Sequence, residues 1–140
     1  MEPRRILIVA NQTAGGSHLK RAVQKAIEAG PATFTLLVPA SAPSDGAWSE
    51  GQARAAAEER MREGLAVLRE AGAQAEGMVG DHRPIHAITD ALVAQPHDAI
   101  IVSTFPSGMS RWLKQDLPHR VERVFRLPTT HVVAEPATKT

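Results

Sequence analysis

Short runs rich in Val, Ile, Leu and Thr alternate along this chain with longer segments in which apolar residues recur at helical spacing. Such alternation is typical of βαβ units, in which helices join parallel strands. Each short run is bounded by Gly, Pro or Asn, which favours a strand followed by a turn. The pattern predicts five strands, over residues 5–10, 32–38, 74–79, 98–103 and 129–133.

Two of these predicted strands, 5–10 and 98–103, contain the nearly unbroken apolar runs ILIVA and AIIVS. Central strands of a parallel sheet need such runs, because helices cover both of their faces. We therefore expect these two strands to lie side by side.

The helical spacing predicts four helices between the strands. Ser17 is a candidate N-cap of the first helix, and Gly72 ends the second. The segment 39–48, rich in Pro, Ser, Asp and Gly, predicts a loop near the mouth of any pocket. The predicted helices cover residues 17–29, 49–71, 84–92 and 118–125.

Length, charge and cysteine usage narrow the classes of protein to consider. A chain of 140 residues fits one domain. Its longest apolar runs fall far short of the roughly 20 residues that a membrane span needs, and we expect no signal peptide. The 16 Lys and Arg against 15 Asp and Glu create no field that would attract nucleic acid. The absence of cysteine excludes disulfides and thiolate metal sites and suits a cytoplasmic protein.

Several short motifs, and the order in which they follow one another, resemble those of the universal stress protein family. They are ILIV after a charged residue, VGD at 79–81, DAIIVST at 98–104, SRWL at 110–113 and HVV at 131–133. The resemblance covers essentially the whole chain. It implies a single three-layer α/β/α domain over 1–134, Rossmann-like and similar to the adenine nucleotide alpha hydrolases, followed by a polar tail at 135–140. The implied sheet is parallel, with five strands in the order 3-2-1-4-5.

The ATP-binding branch of that family carries G-x-x-G, nine further residues, and then Gly followed by Ser or Thr. Here Ser103 and Pro106 stand at the first two glycine positions, and Asp116 and Leu117 at the final pair. Pro106 has no amide donor, and a carboxylate at Asp116 would repel a triphosphate. The acidic residue that follows the family's first strand is also missing, since ANQ occupies 10–12. We therefore expect no ordinary ATP binding and no cofactor.

Ligands of open α/β sheets bind beyond the carboxyl ends of the strands, where the strand order reverses. The loops after the first and fourth strands would meet there and could hold an anion such as phosphate. Turn and cap chemistry is the alternative interpretation of the first loop, and a solvated arginine that of Arg111. The candidate ligand-binding residues are Asn11, Thr13, Gly15, Gly16 and Ser17 in the first loop and Ser103, Thr104, Ser107, Gly108, Ser110 and Arg111 in the second.

Histidines give little support to a metal site or to catalysis. His82 and His86 have the i, i+4 spacing of a helical metal pair, but His82 precedes Pro84 and no third ligand is implied. His18 and His131 are single residues, for which a satisfied or exposed side chain is the better interpretation. Common catalytic signatures are absent from the sequence.

These observations favour a non-catalytic regulatory or stress-associated domain that forms a homodimer through its last strand. The alternative is a small-molecule binding domain that holds a nucleotide or another anion between the two loops. A nucleotide-hydrolysing enzyme is a third possibility, for which Asp116 is the candidate metal ligand. The residues expected at the dimer edge are Thr130, His131, Val132 and Val133.

Overall fold

A computed structural model describes residues 3–11, 13–14, 16–40, 49–106 and 111–134. Within them, strands and helices alternate as the sequence predicts. The strands are β1 (Arg4–Val9), β2 (Ala32–Pro39), β3 (Gln74–Gly80), β4 (Ala99–Thr104) and β5 (Thr129–Val133). The helices are α1 (Ser17–Glu28), α2 (Glu50–Glu70), α3 (Pro84–Ala94), α4 (Arg111–Lys114) and α5 (Leu117–Phe125).

All five strands pair in parallel and form one sheet in the order β3-β2-β1-β4-β5. The two most apolar strands, β1 and β4, are neighbours in register from Ile6 opposite Ala99 to Val9 opposite Val102. This confirms the predicted strand order and the predicted central pair. None of the helices in the described ranges combines the length and apolarity of a membrane span.

Each face of the sheet has its own apolar core because successive side chains of β1 point in opposite directions. Ile6 and Ile8 pack with residues of α1 and α2 on one face. Leu7 and Val9 pack with residues of α3 and α5 on the other. The result is a three-layer domain whose central strands are buried on both sides.

Helix α2 is followed by the predicted Gly72, whereas the N-cap of α1 differs from the prediction. Ser49 caps α2 through a capping box with Gln52, and Gly72 follows that helix with a φ of 93°, which glycine tolerates. The prediction of Ser17 as the N-cap of α1 is wrong, since Gly16 holds that position and Ser17 is the first helical residue. The four-residue α4 was not predicted, because one turn is too short to show a period.

His97, in the connection from α3 to β4, generates a pH-dependent prediction. Its ring bridges the carbonyl oxygen of Gln95 at 3.0 Å and Oγ1 of Thr35 at 3.1 Å, and the residue is only 9% exposed. Burial lowers the pKa of His97 below its ordinary value. The unfolded chain therefore binds this proton more readily than the folded one.

We expect His97 to make the free energy of unfolding fall as the pH drops from 7.5 to 5. The stability that the neutral ring provides is present above the ordinary histidine pKa of about 6.5 and is lost at lower pH. Replacing His97→Asn should flatten this dependence, whereas His86→Asn, at an exposed helix position, should leave it unchanged. Urea unfolding at both pH values measures the difference. Equal slopes for the wild type and His97→Asn would contradict the assignment.

Candidate functional site

The strand order reverses between β1 and β4, so the crevice expected to hold a ligand lies at their carboxyl ends. Asn11 and Thr13 follow β1, and Ser103 and Thr104 end β4. The geometry around these four side chains decides what the crevice can accept.

Three buried polar side chains meet at this point. Oγ of Ser103 lies 2.6 Å from Oγ1 of Thr13 and 2.7 Å from Nε2 of His18. The three residues, which we call the Ser103 cluster, are 1%, 6% and 7% exposed, respectively. Its hydrogen bonds connect the loop after β1, the first turn of α1 and the end of β4.

Gly16, in the loop after β1, packs closely against the imidazole of His18. A Cβ atom at Gly16 would collide with the His18 ring, so glycine at this position makes room for it. The backbone N–H of Gly16 donates to the carbonyl of Thr13, and that of Ala14 donates to the carbonyl of Asn11. Two amides that an anion would need are thus engaged in turns, as the turn interpretation of this loop requires.

Helix α2 holds the other side of the same loop. Gly64 lies against it so closely that a Cβ would come within 2.8 Å of the carbonyl oxygen of Ala14. One turn earlier, Nη1 of Arg60 donates to Oδ1 of Asn11 at 2.8 Å. The arginine brings a half-buried positive charge to the end of β1, where the resembled family has an acidic residue. Sequence reasoning missed Arg60 because 49 positions separate it from Asn11.

Thr104 faces away from the Ser103 cluster, because neighbouring residues of a strand point to opposite faces. Its hydroxyl donates to the carbonyl of Phe105 at 2.9 Å and lies 2.8 Å from Nε2 of His131 on β5. Desolvation of the ring, with the nearby His119 as a smaller cause, lowers the pKa of His131. A neutral ring that carries its proton on Nε2 satisfies both bonds.

Asp116 was the candidate metal ligand for a hydrolytic site. It precedes α5 in a left-handed conformation with φ of 55°, and its Oδ1 accepts from Nδ1 of His119 at 2.8 Å. Its side chain is 58% exposed. Within the described part of the chain, no three His, Asp or Glu residues are grouped so that they could hold a metal ion.

The structure thus brings together Thr13 and Ser103, with His18 as a partner that no sequence motif singled out. Asn11 joins Arg60 beside them, whereas Ser17 is exposed at the start of α1. Trp112 packs against the core on the α3 and α5 side. Some candidates lie outside the described residues, namely Gly15, Ser107, Gly108, Ser110 and the side chain of Arg111.

Comparisons by sequence give no match, either to protein-family models or to curated proteins. Solved structures do match. The universal stress protein from Archaeoglobus fulgidus has a TM-score of 0.63 at 14% identity, covering 92% of this chain and 93% of that one. The structure of that organism's universal stress protein in complex with dAMP gives 0.63 at 15%, with coverages of 94% and 98%.

A universal stress protein in complex with cAMP has a TM-score of 0.54 at 17% identity, covering 96% of this chain and 98% of that one. These likenesses extend over nearly the full length of both chains. The matched structures have the same parallel three-layer architecture as this chain. The chain therefore has the fold of the universal stress proteins.

Proposed function

We propose that this chain is a cytoplasmic, non-catalytic regulatory domain of the universal stress protein type, which acts as a homodimer and does not bind ATP in the ordinary way. The observation that carries the proposal is the Ser103 cluster. Its three side chains occupy the carboxyl ends of β1 and β4 and satisfy one another there.

A triphosphate site needs free backbone amides and close approach of the backbone to phosphate oxygens. Ser103 places a hydroxyl where the resembled ATP-binding motif has glycine, and that hydroxyl already has two partners. Pro106 has no N–H at the second glycine position. Opening the cluster for phosphate would break the two hydrogen bonds between these buried side chains, each of which contributes about 0.5–1.5 kcal/mol.

The contact between Ser103 and His18 has the distance of a nucleophile and its base, so a hydrolytic role has to be weighed. A nucleophile must reach its substrate, and Ser103 is only 1% exposed. Its oxygen is also shared with Thr13 at 2.6 Å. Both facts favour a structural role for the pair and support a non-catalytic domain.

The proposed dimer surface is the free edge of β5. Pro128 accepts from the N–H of Ile100, and the N–H of Ala134 donates to Thr104, so the even-numbered residues of this segment face β4. Since alternate residues of a strand direct their backbone groups to opposite sides, His131 and Val133 direct theirs to the outer edge. Val132 packs into the core, whereas Val133 is 41% exposed. A second copy that pairs with this edge would cover both groups.

A charge at the edge tests the dimer. We expect the wild type to sediment as a dimer at about 10 μM and Val133→Asp to raise the dissociation constant at least about tenfold, because the carboxylate would be desolvated on pairing. The matched control is Val93→Asp on α3, where the side chain is 82% exposed and the helix packs against β2 and β3, at the other side of the sheet from β5. A monomeric wild type, or equal weakening by both substitutions, would contradict this interface.

Binding of a nucleotide with a single phosphate is the second candidate function. It is favoured by Arg60, whose guanidinium has only one N–H engaged by Asn11 among the described residues and so has further donors for an anion. Related folds have been solved with cAMP and with dAMP, each of which carries one phosphate group. A cationic side chain can bind one phosphate group without a glycine-rich loop that supplies backbone amides.

Calorimetry of the purified protein with ATP, cAMP and dAMP separates the two candidates. The leading proposal predicts no binding of any of them at millimolar concentration. The second candidate predicts binding of cAMP or dAMP that Arg60→Met weakens at least about tenfold, about 1.4 kcal/mol, while Arg62→Met, on the exposed side of the same helix, has no effect. Tight binding of ATP to the wild type would contradict the leading proposal.

A further inference from the structure

A second cleft lies at the opposite end of the sheet from the Ser103 cluster, beside the amino ends of β1, β2 and β3. Its volume is about 680 Å³, within the range of pockets that hold small ligands. The end of α2 contributes Arg69 to one side, and the α3 to β4 connection contributes Gln95 and His97 to the other. The floor is formed by residues 33–35 and 74–76.

On the face of the sheet that α3 covers, the apolar surface ends before the amino ends of β2 and β3, and this leaves room for the cleft. Leu37 and Met78 pack in the core with α3. Two residues earlier on each strand, Thr35 and Glu76 are half-buried and exposed, respectively, and are polar. Thr33 and Gln74 precede Thr35 and Glu76 by two residues, so they lie on the same face of the sheet and further from α3.

One side of this cleft is held in place before any ligand arrives. His97 is buried, and its ring bridges Thr35 and the carbonyl of Gln95. Burial of the ring, with a smaller contribution from the nearby charge of Arg5, lowers the pKa of His97. The ring is therefore neutral at pH 7. Arg5 also lines the cleft.

Three charged side chains line the cleft, namely Arg5, Arg69 and Glu76. Nη2 of Arg69 donates to the carbonyl of Ala75 at 2.9 Å. Among the described residues, the guanidinium of Arg5 and the carboxylate of Glu76 have no ion-pair partner. Arg5 is opposite Thr33, which is opposite Gln74, so the three residues form a row across three strands on one face. Two strand spacings and two residues along β3 put the Cα atoms of Arg5 and Glu76 about 12 Å apart.

We propose that this cleft binds a short zwitterionic peptide of about three residues, with its carboxylate at Arg5 and its ammonium group at Glu76. An extended tripeptide spans about 10 Å, which is comparable to the Cα separation of Arg5 and Glu76 and brings each terminal charge within reach of one of these side chains. The hydroxyl of Thr33 and the amides of Gln74 and Gln95 would serve the peptide groups between its ends.

Titration of the full-length protein with trialanine, followed by ¹H–¹⁵N NMR, tests the proposal. We expect saturable shifts at residues 33–35 and 74–76. Trialanine amide and N-acetyl-trialanine, each lacking one terminal charge, should bind about tenfold more weakly, and alanine more weakly still. This titration contains none of the nucleotides that were considered for the crevice at the carboxyl ends of β1 and β4. Its outcome is therefore independent of the proposed function.

Two substitutions assign the ends of the peptide. Arg5→Gln should remove the preference for trialanine over its amide, and Glu76→Gln the preference over the acetylated form. Arg54→Gln and Glu63→Gln, at exposed positions of α2, are the matched controls and should keep both preferences. The proposal is overturned if trialanine gives no saturable shift at about 10 mM, if the shifts lie elsewhere, or if glucose or inorganic phosphate binds in the cleft and trialanine does not.

Discussion

The hydroxyl of Ser103 is buried at the point where two central strands end, and a buried hydroxyl has to find hydrogen-bond partners. Here both partners come from the chain itself, through Thr13 and His18. Satisfying one side chain therefore fixes the loop after β1, the start of α1 and the end of β4 together. Gly16 belongs to the same arrangement, because only a residue without Cβ leaves space for the imidazole.

This constraint gives the two ends of the sheet different characters. At the carboxyl ends, where folds of this type place their ligands, the hydrogen-bonded side chains of the Ser103 cluster lie between β1 and β4. At the amino ends, the core stops before Thr33 and Gln74, and polar side chains line an open cleft.

The architecture could be predicted from the sequence because burial on both faces leaves a local signature. The apolar runs of β1 and β4 marked the central pair, and the five-strand alternation followed from periods of two and about four residues. The strand order came from the resemblance to a family. The cap of α1 was misplaced by one residue, since Gly16 and Ser17 are both acceptable N-caps and only the space required by His18 distinguishes them.

The site was less predictable because its contacts join distant positions. Ser103 and Thr13 were candidates on separate loops, but the pairing with His18 spans 85 positions and has no local pattern. The same holds for Arg60 and Asn11. A signal for the second cleft was present in the sequence, since Thr33 and Thr35 alternate with Phe34 and Leu36 and predict a strand with one polar face.

The central claim is that the Ser103 cluster closes the carboxyl ends of β1 and β4 and stays closed in the presence of nucleotides. The side-chain ¹⁵N resonances of His18 report it most directly, since Nε2 is the atom bonded to Ser103. The account predicts that these resonances are the same with and without millimolar ATP, and that Ser103→Ala shifts the Nε2 signal. A change in the His18 resonances on addition of ATP would show that the cluster opens to the ligand and would contradict the account.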